Sequence, residues 1–178
     1  MIDNIANKHN TRIGVIGLGL MGSRFLRRLN SQGWKVRGWN RSRAATLPLK
    51  KYGFAIIDTL GDLVGDSDVL LSSLANDEAV RATYLGENGV FANLQSGTTI
   101  LEMSTISPDL SAILHREARK RGASVMDLPV SRSTPAGTTE QLRFLQAVSL
   151  RRSIAAFRSS SRSPGSGTSW VRPPRAFV

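Results

Sequence analysis

The sequence has 178 residues, a formal net charge of +11 and no cysteine. That length accommodates one domain with a sizeable core plus a fragment of another, and it excludes two full domains. The absence of cysteine excludes a disulfide framework and a thiolate site, which makes a reducing compartment the default.

Residues 141–178 hold seven Arg and no acidic residue, so the basicity is largely a property of the tail and argues only weakly for nucleic acid. Residues 1–10 read as a flexible polar N-terminus. Residues 1–12 have no apolar signal core and no apolar run reaches membrane-spanning length, which predicts a soluble, cytoplasmic protein.

The first informative stretch runs from Thr11 to Asn40. Arg12-Ile13-Gly14-Val15-Ile16 is a short β-branched run that reads as a buried strand. It passes into Gly17-Leu18-Gly19-Leu20-Met21-Gly22, a G-x-G-x-x-G. The period then changes to that of a helix, with Gly22, Phe25, Leu26 and Leu29 on one face and Arg24, Arg27 and Arg28 on the other. Gly33 supplies the stop, and Lys35 to Trp39 is a second extended run.

Strand, glycine turn, helix and strand in this order form the unit that holds a dinucleotide. Gly17 takes backbone angles that other residues resist, Gly19 lets the main chain approach a pyrophosphate, and Gly22 lets helix and strand pack closely. The unpaired N–H groups at the helix start then face the phosphates. A site for NAD carries an acid about 20 residues past the glycines, whereas an Arg there suits a 2′-phosphate. Here Asn40-Arg41-Ser42 has no carboxylate, which predicts NADP(H) ahead of NAD(H). Arg41 also reads as a solvated residue at a helix start.

Further along, Arg41 to Lys51 forms a short helix with Pro48 interrupting its end, and Phe54 to Ile57 makes a third strand. Thr59 caps a small helix to Val64. Asp68 to Leu74 is a fourth strand, near-continuously apolar as a buried parallel strand requires. A helix from Asp77 to Tyr84 and a loop through Gly86 and Gly89 lead to a fifth strand, Thr98 to Met103. Ser107 caps the next helix with Pro108 at its first position. Leu110, Ile113, Leu114 and Ala118 form its buried stripe, Gly122 closes it, and Ser124 to Asp127 is a sixth strand. Strands alternating with helices in this way predict an α/β fold, a doubly wound parallel sheet with ligands across the carboxyl ends of its strands. Leu142 to Leu150 fits one more strand or a short helix, and residues 158–178 have the Ser, Arg, Pro and Gly bias of a disordered segment.

With Gly17 to Gly22, Asn40-Arg41-Ser42, Ser104-Thr105-Ile106-Ser107-Pro108 and Asp127-Leu128-Pro129-Val130-Ser131 in order, the chain resembles the cofactor domain of the β-hydroxyacid dehydrogenases. That family includes 3-hydroxyisobutyrate dehydrogenase and is related to 6-phosphogluconate dehydrogenase. The resemblance implies a Rossmann-type NAD(P)-binding domain at 11–144 and an Arg/Ser/Pro-rich tail at 145–178. It implies cofactor contacts at Gly17, Leu18, Gly19, Leu20, Met21 and Gly22, with Asn40, Arg41 and Ser42 on the adenosine ribose and its phosphate. Leu74 and Ala75 would line the cofactor, Thr105 would lie near the nicotinamide, and Ser131 would bind a small 3-hydroxyacid. For Leu74, Ala75, Thr105 and Ser131, strand ends or helix caps are the structural alternative.

In that family a lysine from a C-terminal helical domain moves the proton on the substrate oxygen. This sequence has no lysine after Lys120, carries Arg132-Ser133 where the family has a glycine pair, and has Glu140 in place of a glycine. The expectation is a cofactor domain whose helical partner is absent, with a tail of replaced or out-of-frame sequence. An oxidoreductase, a cofactor-binding remnant without turnover and, ranked last, an Arg-rich nucleic-acid binder are the competing readings. His9 and His115 read as a mobile terminus and a polar helix side, and Asp66, Asp68, Asp77 and Glu78 as caps. No cluster has metal-ligand spacing.

Overall fold

The computed structural model describes residues 10–129, and they form a five-stranded, wholly parallel sheet flanked by helices. The strands are β1 (Arg12–Ile16), β2 (Lys35–Trp39), β3 (Val69–Ser72), β4 (Thr99–Glu102) and β5 (Ser124–Asp127). The helices are α1 (Leu20–Ser31), α2 (Leu47–Lys51), α3 (Leu60–Gly65), α4 (Asp77–Leu85), α5 (Val90–Asn93) and α6 (Pro108–Lys120). Ser131, Arg132-Ser133, Glu140, the 142–150 segment, the tail and His9 lie outside the described residues.

The strand order is β2-β1-β3-β4-β5. After β1 the chain crosses through α1 to β2 on one side, then returns to place β3 on the other side of β1. The β1/β3 boundary is therefore the switch point at which open α/β sheets bind ligands. The register runs Ile13 beside Val36 and Val69, then Leu70 beside Ile100, then Ile100 beside Val125. β3 and β4 are buried along their whole length, which is why Val69-Leu70-Leu71 reads as a continuous rather than an alternating apolar run.

One face of the sheet presents Ile16, Leu70, Ile100 and Val125 to a core shared with α3, α4, α5 and α6. Val15, Leu71 and Leu101 point the other way by strand alternation and are equally buried. α1 packs on β1 and β2 through Phe25, Leu26 and Leu29, which lie outside that first core. α1 ends where Gly33 adopts φ +78° and Trp34 N–H reaches back to the Leu29 carbonyl at 3.1 Å. Thr59 and Ser107 cap α3 and α6 as expected, accepting from the amides of Asp62 and Leu110.

Several expectations need correction. Phe54 to Ile57 is no strand: Ile56 makes a single parallel bridge to Gly38, held by Gly38 N–H to Ala55 and Ile57 N–H to Gly38, each at 2.9 Å. The segment lies outside the sheet edge at β2 and is mostly half-exposed, so too little burial supports a full ladder. The 41–51 helix divides into a 3-10 turn at Ala44–Thr46 and α2. Pro48 stands in the first turn of α2, where no amide is required, rather than at the end. The loop through Gly86 and Gly89 contains α5, a helix too short to show a period. Strands β3 and β4 are each shorter than expected, and Ile113 is only half-buried. Asp66 and Asp68 pair with Arg12, and Asp66 also with Arg37; Asn76, not Asp77, caps α4. Among the described residues no helix is long and apolar enough to cross a membrane.

Candidate functional site

The glycine turn follows β1 and lies between the carboxyl ends of β2 and β3. Gly17 follows β1 with φ +85°, and its N–H donates to the Trp39 carbonyl at the end of β2 at 2.9 Å. A Cβ at Gly17 would stand 2.3 Å from the Ser73 carbonyl oxygen after β3. The turn is therefore clamped between two neighbouring strand ends. A Cβ at Gly22 would stand 1.7 Å from the Gly17 carbonyl oxygen, so α1 rests directly on the turn.

Gly19 differs from both. Its Cβ would meet nothing within 4 Å, although its angles (φ −69°, ψ −160°) suit any residue. The first turn of α1 has no side-chain cap and no acidic residue. Ser23 N–H takes the Gly19 carbonyl, leaving the amides of Leu20, Met21 and Gly22 without intrahelical acceptors. Open space above free donors at the positive end of a twelve-residue helix suits a diphosphate. The residues present fit a dinucleotide on this observation alone.

The remaining expected residues divide into those that face the cleft and those that support it. Leu18 is buried, with its side chain beneath Gly38, where a Cβ would come within 2.9 Å of it. Its N–H donates to Asn40 Oδ1 at 2.9 Å, and Asn40 Nδ2 donates to the Ser42 carbonyl at 3.1 Å. Asn40 thus ties the glycine turn to the loop after β2, with its carboxamide engaged inward. Arg41 is exposed and forms no hydrogen bond or ion pair among the described residues. It borders an open cleft of about 800 Å³ that also takes in Trp39, Thr59, Gly61, Thr83 and Asn93; none of the glycine-turn residues, Leu74, Ala75 or Thr105 lines it.

Leu74 is half-buried, and Ala75 and Thr105 are exposed, on the loops that follow β3 and β4. These loops are joined twice. Leu74 N–H donates to Ser104 Oγ at 2.8 Å, and the Asp77 carboxylate accepts the Ser107 N–H at 3.0 Å and the Ser107 hydroxyl. The Ser107 hydroxyl and amide hold the Asp77 carboxyl below its ordinary value of 3.8. Below the wall, burial raises the Glu102 carboxyl above its ordinary 4.5, with Oε1 accepting from Ser104 N–H at 2.9 Å. Burial likewise pushes the Tyr84 hydroxyl up.

On the far edge, His115 Nε2 and Ser111 Oγ both meet Asp127 Oδ2, at 3.1 and 2.7 Å, and His115 lowers the Asp127 carboxyl. His115 is thus more than a solvated helix residue. No group of three metal-ligating side chains exists among the described residues. Sequence reasoning missed the supporting roles of Asn40, Asp77, Glu102 and Ser104. The polar Glu102 and Ser104 flanking Met103 at the end of an apolar strand were the available signal.

Residues 12–150 match the family model for the NAD binding domain of 6-phosphogluconate dehydrogenase. The chain is 35% identical over 121 residues to the probable 3-hydroxyisobutyrate dehydrogenase-like 3, mitochondrial, of Arabidopsis thaliana, covering 68% of this chain and 38% of that one. It is 32% identical over 134 residues to an NAD-dependent L-serine dehydrogenase of Pseudomonas aeruginosa, covering 75% and 45%. Among solved structures, Psf3 in complex with NADP+ and 2-OPP superposes with a TM-score of 0.64 at 27% identity, covering 82% of this chain and 54% of that one. The chain thus spans less than half the length of these two curated relatives.

Proposed function

The chain belongs to the family of the NAD binding domain of 6-phosphogluconate dehydrogenase, and from that membership we propose that it holds NADP(H) as the coenzyme half of an oxidoreductase acting on a small 3-hydroxyacid. The observation that carries the reading is the start of α1, where Gly19 leaves open space above free amides and Gly17 and Gly22 permit no side chain. Bound there, the coenzyme supplies a nicotinamide that exchanges hydride with a substrate carbon.

The chain's own residues bind, orient and discriminate. The amides of Leu20 and Met21 take the diphosphate, with Gly17, Leu18 and Gly22 shaping the turn beneath it. Arg41, without a hydrogen bond or ion pair among the described residues, donates to the 2′-phosphate; its five fixed donors suit a phosphate better than a bare ribose. Asn40 acts from behind, holding Leu18 and Ser42 so that Arg41 projects. Leu74 and Ala75 line the ribose and nicotinamide side, and Thr105 borders the nicotinamide. Ser131 is the substrate-side contact by resemblance. The boundaries 11–144 for the domain and 145–178 for the tail belong to the same reading, and the family match over 12–150 supports them only broadly.

A second reading rests on one observation: the 178 residues contain no lysine beyond Lys120, whereas the family's acid/base lysine follows the cofactor domain. On that reading these residues alone bind coenzyme without turnover. Fluorescence titration with NADPH and with NADH, followed by incubation with NADP+ and 3-hydroxyisobutyrate, tests both. Saturable binding with NADPH preferred supports the coenzyme site. Reduction of NADP+ would remove the second reading, and tighter NADH than NADPH binding, as the NAD-dependent relative would suggest, would remove the role given to Arg41.

A further inference from the structure

Glu102 is the only acidic side chain among the described residues that the fold buries. It ends β4, in register with Ser72 of β3 and Asp127 of β5. Strand alternation turns it and Ser72 to the side of Leu70 and Ile100, where Tyr84 of α4 sits in the core. Glu102 Oε2, Tyr84 Oη and Ser72 Oγ are buried there together, where the two hydroxyls act on the carboxyl, while its other oxygen accepts the Ser104 amide. Ser104 Oγ in turn accepts the Leu74 amide.

We propose that Glu102 is a positioning residue of the coenzyme cleft: through the Ser104 amide and hydroxyl it holds Leu74, and so fixes the wall that the loops after β3 and β4 present to the coenzyme. The inference rests on the coenzyme reading above. A leucine at this position would fill the space but leave the Ser104 amide unpaired, at the cost of a desolvated donor. The titratable groups that face Glu102 are Tyr84 from α4 and Asp127 from β5, the latter engaged by His115 of α6; β3 offers only Ser72. Among the described residues no cation is paired with it, and burial favours the protonated form. In that form Oε1 still accepts from Ser104, and the carboxyl keeps its place beside the buried Tyr84 and Ser72 hydroxyls.

A carboxamide reproduces that arrangement, which gives the test its discrimination. The full 178-residue chain and its Glu102→Gln, Glu102→Ala and Ser104→Ala variants are titrated with NADPH from pH 5 upward. Glu102→Gln is expected to bind within about two-fold of the unsubstituted chain, and Glu102→Ala and Ser104→Ala about ten-fold more weakly. Raising pH above the ordinary carboxyl value of 4.5 and through the elevated one ionises Glu102 next to Asp127. Affinity should then fall in the unsubstituted chain more than in Glu102→Gln.

Hydrogen exchange at the Leu74 amide, measured without coenzyme, reads the wall directly. It should quicken in Glu102→Ala and Ser104→Ala and stay slow in Glu102→Gln. If Glu102→Ala does not fold, Ser104→Ala, which removes one hydroxyl, carries the same expectation. Unchanged Leu74 exchange and unchanged affinity in Ser104→Ala would overturn the proposal. Absence of saturable NADPH binding by the unsubstituted chain would instead overturn the coenzyme reading, whatever the exchange result.

Discussion

Gly19→Ala and Gly22→Ala add the same methyl group three residues apart, and the structure assigns them different consequences. At Gly22 the new Cβ would lie 1.7 Å from the Gly17 carbonyl oxygen, whereas ordinary contact begins at 3.4 Å, so the start of α1 must retreat by about 1.7 Å. Neither partner yields easily, because the Gly17 carbonyl is backbone in a turn already wedged against Ser73. Overpacking of this kind costs about 2–3 kcal/mol, and with about 2–4 °C of midpoint per kcal/mol the melt should fall by roughly 5–10 °C. Coenzyme binding should fall with it, since donors displaced by this distance no longer reach the same oxygens.

At Gly19 the new Cβ meets nothing within 4 Å and the backbone angles are unstrained, so the fold should be nearly unaffected. An N-cap Gly to Ala change costs at most about 1 kcal/mol. The methyl instead occupies the space assigned to the diphosphate, and NADPH affinity should drop by at least about ten-fold, the equivalent of one lost charge-assisted hydrogen bond. Thermal melts paired with fluorescence titration of each variant give both quantities. Wild-type affinity in Gly19→Ala, or a wild-type melt in Gly22→Ala, would refute the reasoning.

Arg41→Ala should weaken NADPH by about ten-fold or more and leave NADH within about two-fold, because only the 2′-phosphate loses a charged partner; equal losses for both coenzymes would contradict that role. Asn40→Ala deprives the Leu18 amide of its acceptor, so it should cost about 1–2 kcal/mol in denaturant melts and weaken both coenzymes alike. Asp77 is held below its ordinary 3.8 by Ser107, so its contribution to stability is present above that value and is lost as pH falls through the lowered one. Acid melts of Asp77→Asn should therefore show a shallower loss below pH 3.8 than the unsubstituted chain, and identical acid limbs would remove the link between α4 and α6 as its source.

The features legible in the sequence are those whose partners lie within one turn or one strand. The glycine hexapeptide, the Phe25-Leu26-Leu29 stripe, the Thr59 and Ser107 caps and the Gly33 stop are each made by neighbours in the chain. Local spacing therefore states them, and each appears where its spacing predicts. The apolar run of Asp68 to Leu74 announced a buried parallel strand, and the alternation of strands with helices announced the doubly wound sheet. Errors gathered where burial rather than pattern decides. Phe54 to Ile57 carries the composition of a strand, yet one bridge is all that the β2 edge supports.

Chain order by itself determined that this protein carries a βαβ unit with a bare glycine turn, and hence a place for a diphosphate. The tertiary structure alone decided how the rim of that place is held. Leu18 meets Asn40 across 22 positions, and Leu74 meets Ser104 and Asp77 meets Ser107 across 30. Each pairing joins the ends of different strands, so it exists only once the order β2-β1-β3-β4 has set those ends side by side. A periodicity of two or 3.6 residues carries no information about which strand becomes whose neighbour. That choice is made by burying all the apolar faces together.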